Sequence, residues 1–152
     1  MTGSGKATIA IRRARPDDAA AIVALDQATT GQSKADYWRD MIAQFSGAQA
    51  DSRAFLVAES AGRVVGFISG EIRAFEFGAE PRGWVFAVAV DPTIRVKNIG
   101  TRLFDELCAI FQKAGVEKVS TLIERDSDLV LAFFRSQGMI FGRYIQMEKE
   151  LG

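Results

Sequence analysis

Histidine is absent from the 152 residues, and cysteine occurs once, at Cys108. Without imidazole there is no Ser-His-Asp triad, no histidine base and no His-rich metal site. A lone cysteine excludes an internal disulfide. An excess of either charge is lacking too. Nineteen Lys and Arg stand against 19 Asp and Glu, so no bulk basic field exists to hold a phosphate backbone through counterion release. Nucleic acid and membrane are therefore not expected partners. No apolar run exceeds the length of Trp84 to Val90, which is far short of the ~20 residues a membrane helix needs, and the N-terminus carries no apolar signal core. The expectation is a soluble, cytoplasmic protein.

What is present suits one core. A chain of this length buries roughly 68–70% of the surface it exposes when unfolded, and 48% hydrophobic residues, including 11 Phe, supply the material. Residues 1–6 read as a flexible tail and residues 7–152 as a single domain. Gly5-Lys6 superficially resembles a phosphate-binding P-loop, but Ala7 stands where Ser or Thr would hold magnesium.

Ile9 and Ile11 alternate as in a strand, and Pro16-Asp17-Asp18 then opens a helix running to about Thr29. Tyr37, Trp38, Met41, Ile42 and Phe45 recur at helical spacing, with Gly47 near the end. Phe55–Ala58 and Val64–Ile68 form a hairpin across Ala61-Gly62-Arg63, and Trp84–Val90 reads as a strand buried on both faces. Asp91-Pro92 stops it. A helix carries Ile99, Leu103, Leu107, Ile110 and Ala114 to Gly115, followed by a strand Val119–Ile123, a short helix Asp128–Ser136 and a last strand Ile140–Glu150. The order is β-α-α-β-β-β-α-β-α-β, an α/β (α+β) fold.

The stretch from Val88 to Phe104 joins a buried strand, a Pro stop and a basic loop opening directly into a helix. The first N–H groups of a helix have no internal partner, so a pyrophosphate placed there gains hydrogen bonds and the favourable end of the helix dipole. Gly100 permits close approach, and Arg95 and Lys97 add charge without a metal. The same pattern also fits an ordinary strand-to-helix connection with solvated basic residues.

Arg95-Val96-Lys97-Asn98-Ile99-Gly100, after a strand ending in Val-Asp-Pro, resembles the acyl-CoA-binding motif of the GNAT superfamily of N-acetyltransferases. Asn98 stands where that family usually has its first Gly, and Asn tolerates left-handed backbone better than most residues. Ala132-Phe-Phe-Arg-Ser-Gln-Gly138-Met139 resembles the family's helix, Gly stop and final strand. The element order matches over nearly the whole chain.

The resemblance implies a central mixed, mostly antiparallel sheet flanked by helices. It implies acetyl-CoA as acyl donor, no metal, and an amine acceptor that is a small molecule or peptide. The backbone of Val88 and Val90 would pair with the pantetheine arm, and the loop through Arg95, Val96, Lys97, Asn98, Ile99, Gly100 and Thr101 would hold the pyrophosphate. Ser127 or Asp126 falls near a cofactor-contacting position. Phe134 occupies the place usually held by a Tyr suggested as proton donor to the leaving thiolate.

An amine acceptor with a pKa near ~10.4 must lose a proton before attack. The stretch before the third meander strand offers Glu71, Glu76 and Glu80, and in the resembling family a Glu near the start of that strand often takes the proton through water, which implies Glu80 first and Glu76 second. Both also fit solvated carboxylates paired with Arg73 or Arg82. The acceptor pocket is expected around Thr29–Lys34, Tyr37, the loop before Trp84 and Tyr144. Cys108, mid-helix beside Phe104 and Phe111 without a His to activate it, reads as a core residue. Direct transfer in a ternary complex is the first reading. A silent acyl-CoA-binding or sensing module is the alternative, a subunit whose groove mediates association is a second, and a homodimer stays open.

Overall fold

Pro16 fixes the entry to the first helical segment: Pro16–Asp18 form a 3-10 turn that runs straight into α1 (Ala19–Thr30). The computed structural model of the chain describes residues 8–46, 52–74, 78–94 and 98–152. The expected tail at residues 1–6, the helix-end Gly47, Glu76, and the loop residues Arg95, Val96 and Lys97 lie outside the described residues. Two compact units divide the chain, residues 1–122 and 123–152.

The first unit holds β1 (Ile9–Arg13), α1, α2 (Ala35–Phe45), β2 (Arg53–Ser60), β3 (Arg63–Arg73), β4 (Arg82–Val90), α3 (Ile99–Lys113) and β5 (Val119–Thr121). The strands lie in the order β1-β2-β3-β4-β5. All neighbours are antiparallel except β4 and β5, which are parallel. The expected meander is thus β2-β3-β4.

Helices cover both faces of this sheet. On one face Trp38, Ile42 and Phe45 of α2 and Ile22 and Leu25 of α1 pack with Phe55, Val57, Phe67 and Ala89. Trp38 meets Phe67 and Phe55 edge-on, at 5.1 and 5.9 Å between ring centroids, and its indole N–H donates to the buried Asp26 carboxylate at 3.0 Å. Each such fully buried side chain stabilises the fold by roughly 1.5–3 kcal/mol. On the other face α3 lies directly over Gly66, Gly70 and Gly83. A Cβ on Gly66 would sit 3.2 Å from Leu103, and one on Gly83 would overlap the Phe111 ring. The missing side chains let the helix approach the strands.

Arg12 of β1 ties the entry of α1 to the sheet. It donates to both carboxylate oxygens of Asp18 (2.8 and 2.9 Å) and to Glu59 of β2 (2.6 Å). The Arg15 N–H adds a third bond to Asp18 at 2.7 Å.

The second unit contains α4 (Asp128–Ser136), matching the sequence expectation. The expected last strand, Ile140–Glu150, is not formed: residues 139–152 belong to neither helix nor strand. Alternation specifies which side chains share a face, but a strand also needs a neighbour for its N–H and C=O groups. β5 is also shorter than expected, ending at Thr121.

Candidate active site

The third strand of the meander departs from its expected form, and the departure shapes the candidate site. Trp84, Ala87, Val88 and Val90 are half-buried and Phe86 is 42% exposed, so β4 is not covered on both faces. Its register with β3 also slips. Ser69 pairs with Ala87 but Gly70 pairs with Val85, which leaves Phe86 as an extra residue in β4. Such a bulge bends the strand and increases its twist.

The other edge of β4 is paired only at its start, where Gly83, Trp84 and Val85 lie beside Val119, Ser120 and Thr121. Gly83 donates its N–H to Lys118 at 2.9 Å, and the Thr121 hydroxyl donates to the Val85 carbonyl at 2.9 Å. Beyond Val85 this edge has no strand partner among the described residues. Backbone alternation then fixes what the edge presents. Asp91 donates its N–H to Val65 of β3 at 2.8 Å, so Ala89 also turns its amide groups to β3, while Val88 and Val90 turn theirs to the open side.

At the end of β4 the chain is pinned by Asp91, whose carboxylate accepts from the Thr93 N–H and hydroxyl at 2.9 and 2.7 Å. Those bonds hold the Asp91 carboxyl below its usual range. Asn98 opens α3 in the left-handed region, at φ 69° and ψ 21°, and makes no side-chain cap. The first helical bond is donated by Arg102 to the Asn98 carbonyl at 2.9 Å, so the N–H groups of Ile99 and Gly100 precede the intrahelical ladder. Thr101 follows on the same turn. An extended strand edge and an uncapped helix start can together accept an amide-bearing chain and an anion.

The remaining candidates sit in different surroundings. Glu80 is exposed in the turn before β4. Glu71 is instead buried, its carboxylate 3.0 Å from Arg53 and 2.7 Å from Arg73, and opposite Trp84 in the register. Lys34 lies 3.4 Å from Asp26 and over the rings of Tyr37 and Trp38, an arrangement of the α1–α2 connection that helical spacing did not foretell. Cys108 is half-buried, and burial, then Asp105, pushes its thiol up to about 11. In the second unit Ser127 takes the position before α4, without a side-chain cap. Phe134 is 3% exposed with its ring centroid 5.1 Å from that of Phe133. Its carbonyl accepts the N–H groups of Gln137 and Met139. Exposed Tyr144 lies in the same unit.

Residues 19–139 match the pattern of the Acetyltransferase (GNAT) family. The chain belongs to the GNAT family of acetyltransferases. A stretch of 92 residues, 58% of the chain, is 33% identical to a mycothiol acetyltransferase of Saccharomonospora viridis and spans 30% of that protein's length. Among solved structures, an aminoglycoside N-acetyltransferase in complex with CoA superimposes with a TM-score of 0.83 at 14% identity, over 99% of this chain and 100% of that one. A glucosamine-6-phosphate N-acetyltransferase from Arabidopsis thaliana gives 0.73 at 20% identity, over 95% and 99%. At these identities the likeness is one of fold. No helix among the described residues of this GNAT protein is long and apolar enough to cross a membrane.

Proposed function

We propose that this protein transfers an acetyl group from acetyl-CoA to the amine of a small molecule or peptide by direct attack in a ternary complex. The observation that carries the reading is the β4 edge beyond Val85, where Val88 and Val90 present their amide groups outward just before the uncapped start of α3.

In this reading the pantetheine amides lie along Val88 and Val90 as a neighbouring strand would. The pyrophosphate is held by the loop through Arg95, Val96, Lys97, Asn98, Ile99, Gly100 and Thr101, with Ser127 and Phe134 as further contacts. Backbone donors on β4 stabilise the oxyanion that develops as the amine attacks the thioester. Glu80, with Glu76 second, removes the ammonium proton through water. Phe134 brings no hydroxyl to the leaving sulfur, but a thiolate with a pKa near ~8.5 departs without obligatory protonation. Positioning of the amine against the thioester supplies much of the remaining acceleration. Cytoplasmic action on a free amine is part of the same proposal.

The test combines calorimetry with an acceptor screen. Gly100→Asp, which sets a carboxylate against the pyrophosphate, should abolish measurable acetyl-CoA binding. Arg95→Ala should cost roughly 1.5–3 kcal/mol, about ten- to a hundredfold in affinity. Unchanged binding in both variants removes the phosphate-loop assignment. The screen includes aminoglycosides and glucosamine 6-phosphate, the substrates named for structural neighbours. Tight acetyl-CoA binding with no acetylated product from any amine, in the natural protein and in Phe134→Tyr, favours the sensing module. The buried, hydroxyl-free Phe134 is the observation that keeps that reading alive.

A further inference from the structure

α3 covers the face of the sheet that carries Gly70 and Gly83. Glu71 and Trp84, each one residue further on and opposite one another in the register, therefore project to the other face. A continuous set of contacts runs across that face. Phe86, the exposed extra residue of the β4 bulge, meets Phe45 of α2 at 6.4 Å between ring centroids. The Arg53 guanidinium lies 5.6 Å from the centre of the Phe45 ring, and the Glu71 carboxylate takes Arg53 Nε at 3.0 Å and Arg73 Nε at 2.7 Å.

This pairing leaves charge over. The Glu71 side chain is 10% exposed, and a carboxylate buried to that degree needs a cationic partner, but it has two where one neutralises it. Arg53 and Arg73 themselves stay 31% and 56% exposed, and among the described residues neither has a second carboxylate partner. Two guanidiniums oriented by one buried acid, with a surplus positive charge beside an aromatic wall, suit an oxyanion, which guanidinium binds through paired N–H groups.

The position bears on the reaction. Trp84, opposite Glu71, precedes Phe86 by two residues, about 7 Å along the strand. An amine attacking a thioester laid along Val88 and Val90 approaches at the bulge, one short molecule's length from the arginine pair. We infer that the acceptor is an amine that also carries a carboxylate or a phosphate, seated on Arg53 and Arg73 with its apolar part over Phe45 and Phe86. The inference rests on the acyl-transfer reading and narrows its acceptor.

Matched acceptors test it: glucosamine 6-phosphate against glucosamine for phosphate, and glycylglycine against glycylglycinamide for carboxylate. At least one anionic member should be acetylated with a kcat/KM about ten- to a hundredfold above that of its twin without the anion, the worth of a charge-assisted hydrogen bond. Arg73→Gln, which leaves Glu71 its Arg53 partner, should remove most of that preference by raising KM, while acetyl-CoA affinity and the rate on the twin stay unchanged. Equal acetylation within both pairs, or a preference that survives both Arg73→Gln and Arg53→Gln, overturns the inference and leaves acyl transfer standing. No product from any amine despite acetyl-CoA binding removes the acyl-transfer reading and this inference with it. Should the variants fail to fold, salt decides on the natural protein: rising ionic strength should erode the rate on the anionic acceptor and spare its twin, and an equal response of the two overturns the inference.

Discussion

Asn98 offers the sharpest test of how backbone conformation sets up the start of α3. Its φ of 69° and ψ of 21° lie in the left-handed region, where an ordinary side chain costs roughly 1–2 kcal/mol, Asn costs less and Gly nothing. Asn98→Ala should therefore destabilise the fold by about 1 kcal/mol, and the β-branched Asn98→Val by about 2 kcal/mol. Asn98→Gly relieves the residual strain but frees the unfolded chain by about 0.4–1 kcal/mol, so its net stability should change by less than about 0.5 kcal/mol. Urea unfolding measures these values. Titration calorimetry with acetyl-CoA runs alongside, because the same turn aims the N–H groups of Ile99 and Gly100. If conformation is what matters, affinity follows the order Gly and Asn, then Ala, then Val. Asn98→Gly binding tenfold more weakly than the natural protein, or Asn98→Val binding equally well, would refute the reasoning and assign the role to the Asn side chain.

Gly83→Ala should lower stability by about 1–3 kcal/mol, since its methyl overlaps the Phe111 ring; an unchanged melting temperature would show that α3 shifts freely on the sheet. Cys108→Ala should retain acetyl transfer, because a thiol pushed up to about 11 is protonated at neutral pH, and an inactive variant with ping-pong kinetics would show a covalent route. Asp18→Asn should cost about 2–3 kcal/mol at pH 7. The Asp18 carboxyl is held below its usual range, first by the Arg12 hydrogen bonds and then by the Arg15 N–H. Its contribution is therefore complete above the unfolded value near ~3.9 and is lost as pH falls through the lower folded value. Stability curves of natural protein and variant should converge below about pH 4, and parallel curves would contradict this.

Much of this architecture was legible because side-chain period and stop signals agree. Asp128–Ser136 is helical as its spacing indicated, and α3 starts after the Pro92 stop and ends before Gly115. The β2-β3-β4 meander follows from alternation and turn residues. The bulge at Phe86 was not legible, since Trp84–Val90 is apolar throughout and a continuous apolar run carries no mark of register. Ile140–Glu150 shows the converse: a clear alternation in the sequence does not name the strand it needs. The strand-to-helix connection before α3 was visible through residue types, with Asn98 tolerating the left-handed turn that the structure assigns it. The carboxylate environments were not, because nothing in the spacing separates Glu71, clasped by two arginines, from exposed Glu80.

The extra residue in β4 acts as a parity shift. Before it, the odd-numbered Gly83 turns its N–H away from β3, toward Lys118. After it, Asp91 turns its N–H toward β3, and the even-numbered Val88 and Val90 face away. Counting residues along β4 therefore determines which peptide groups reach the open edge. Were β4 to alternate strictly through Phe86 without the bulge, Ala87 and Ala89 would take those places and Val88 and Val90 would turn to β3. The bulge therefore sets which peptide groups this edge offers, and family members aligned through it are comparable only when their bulges are counted in the same frame.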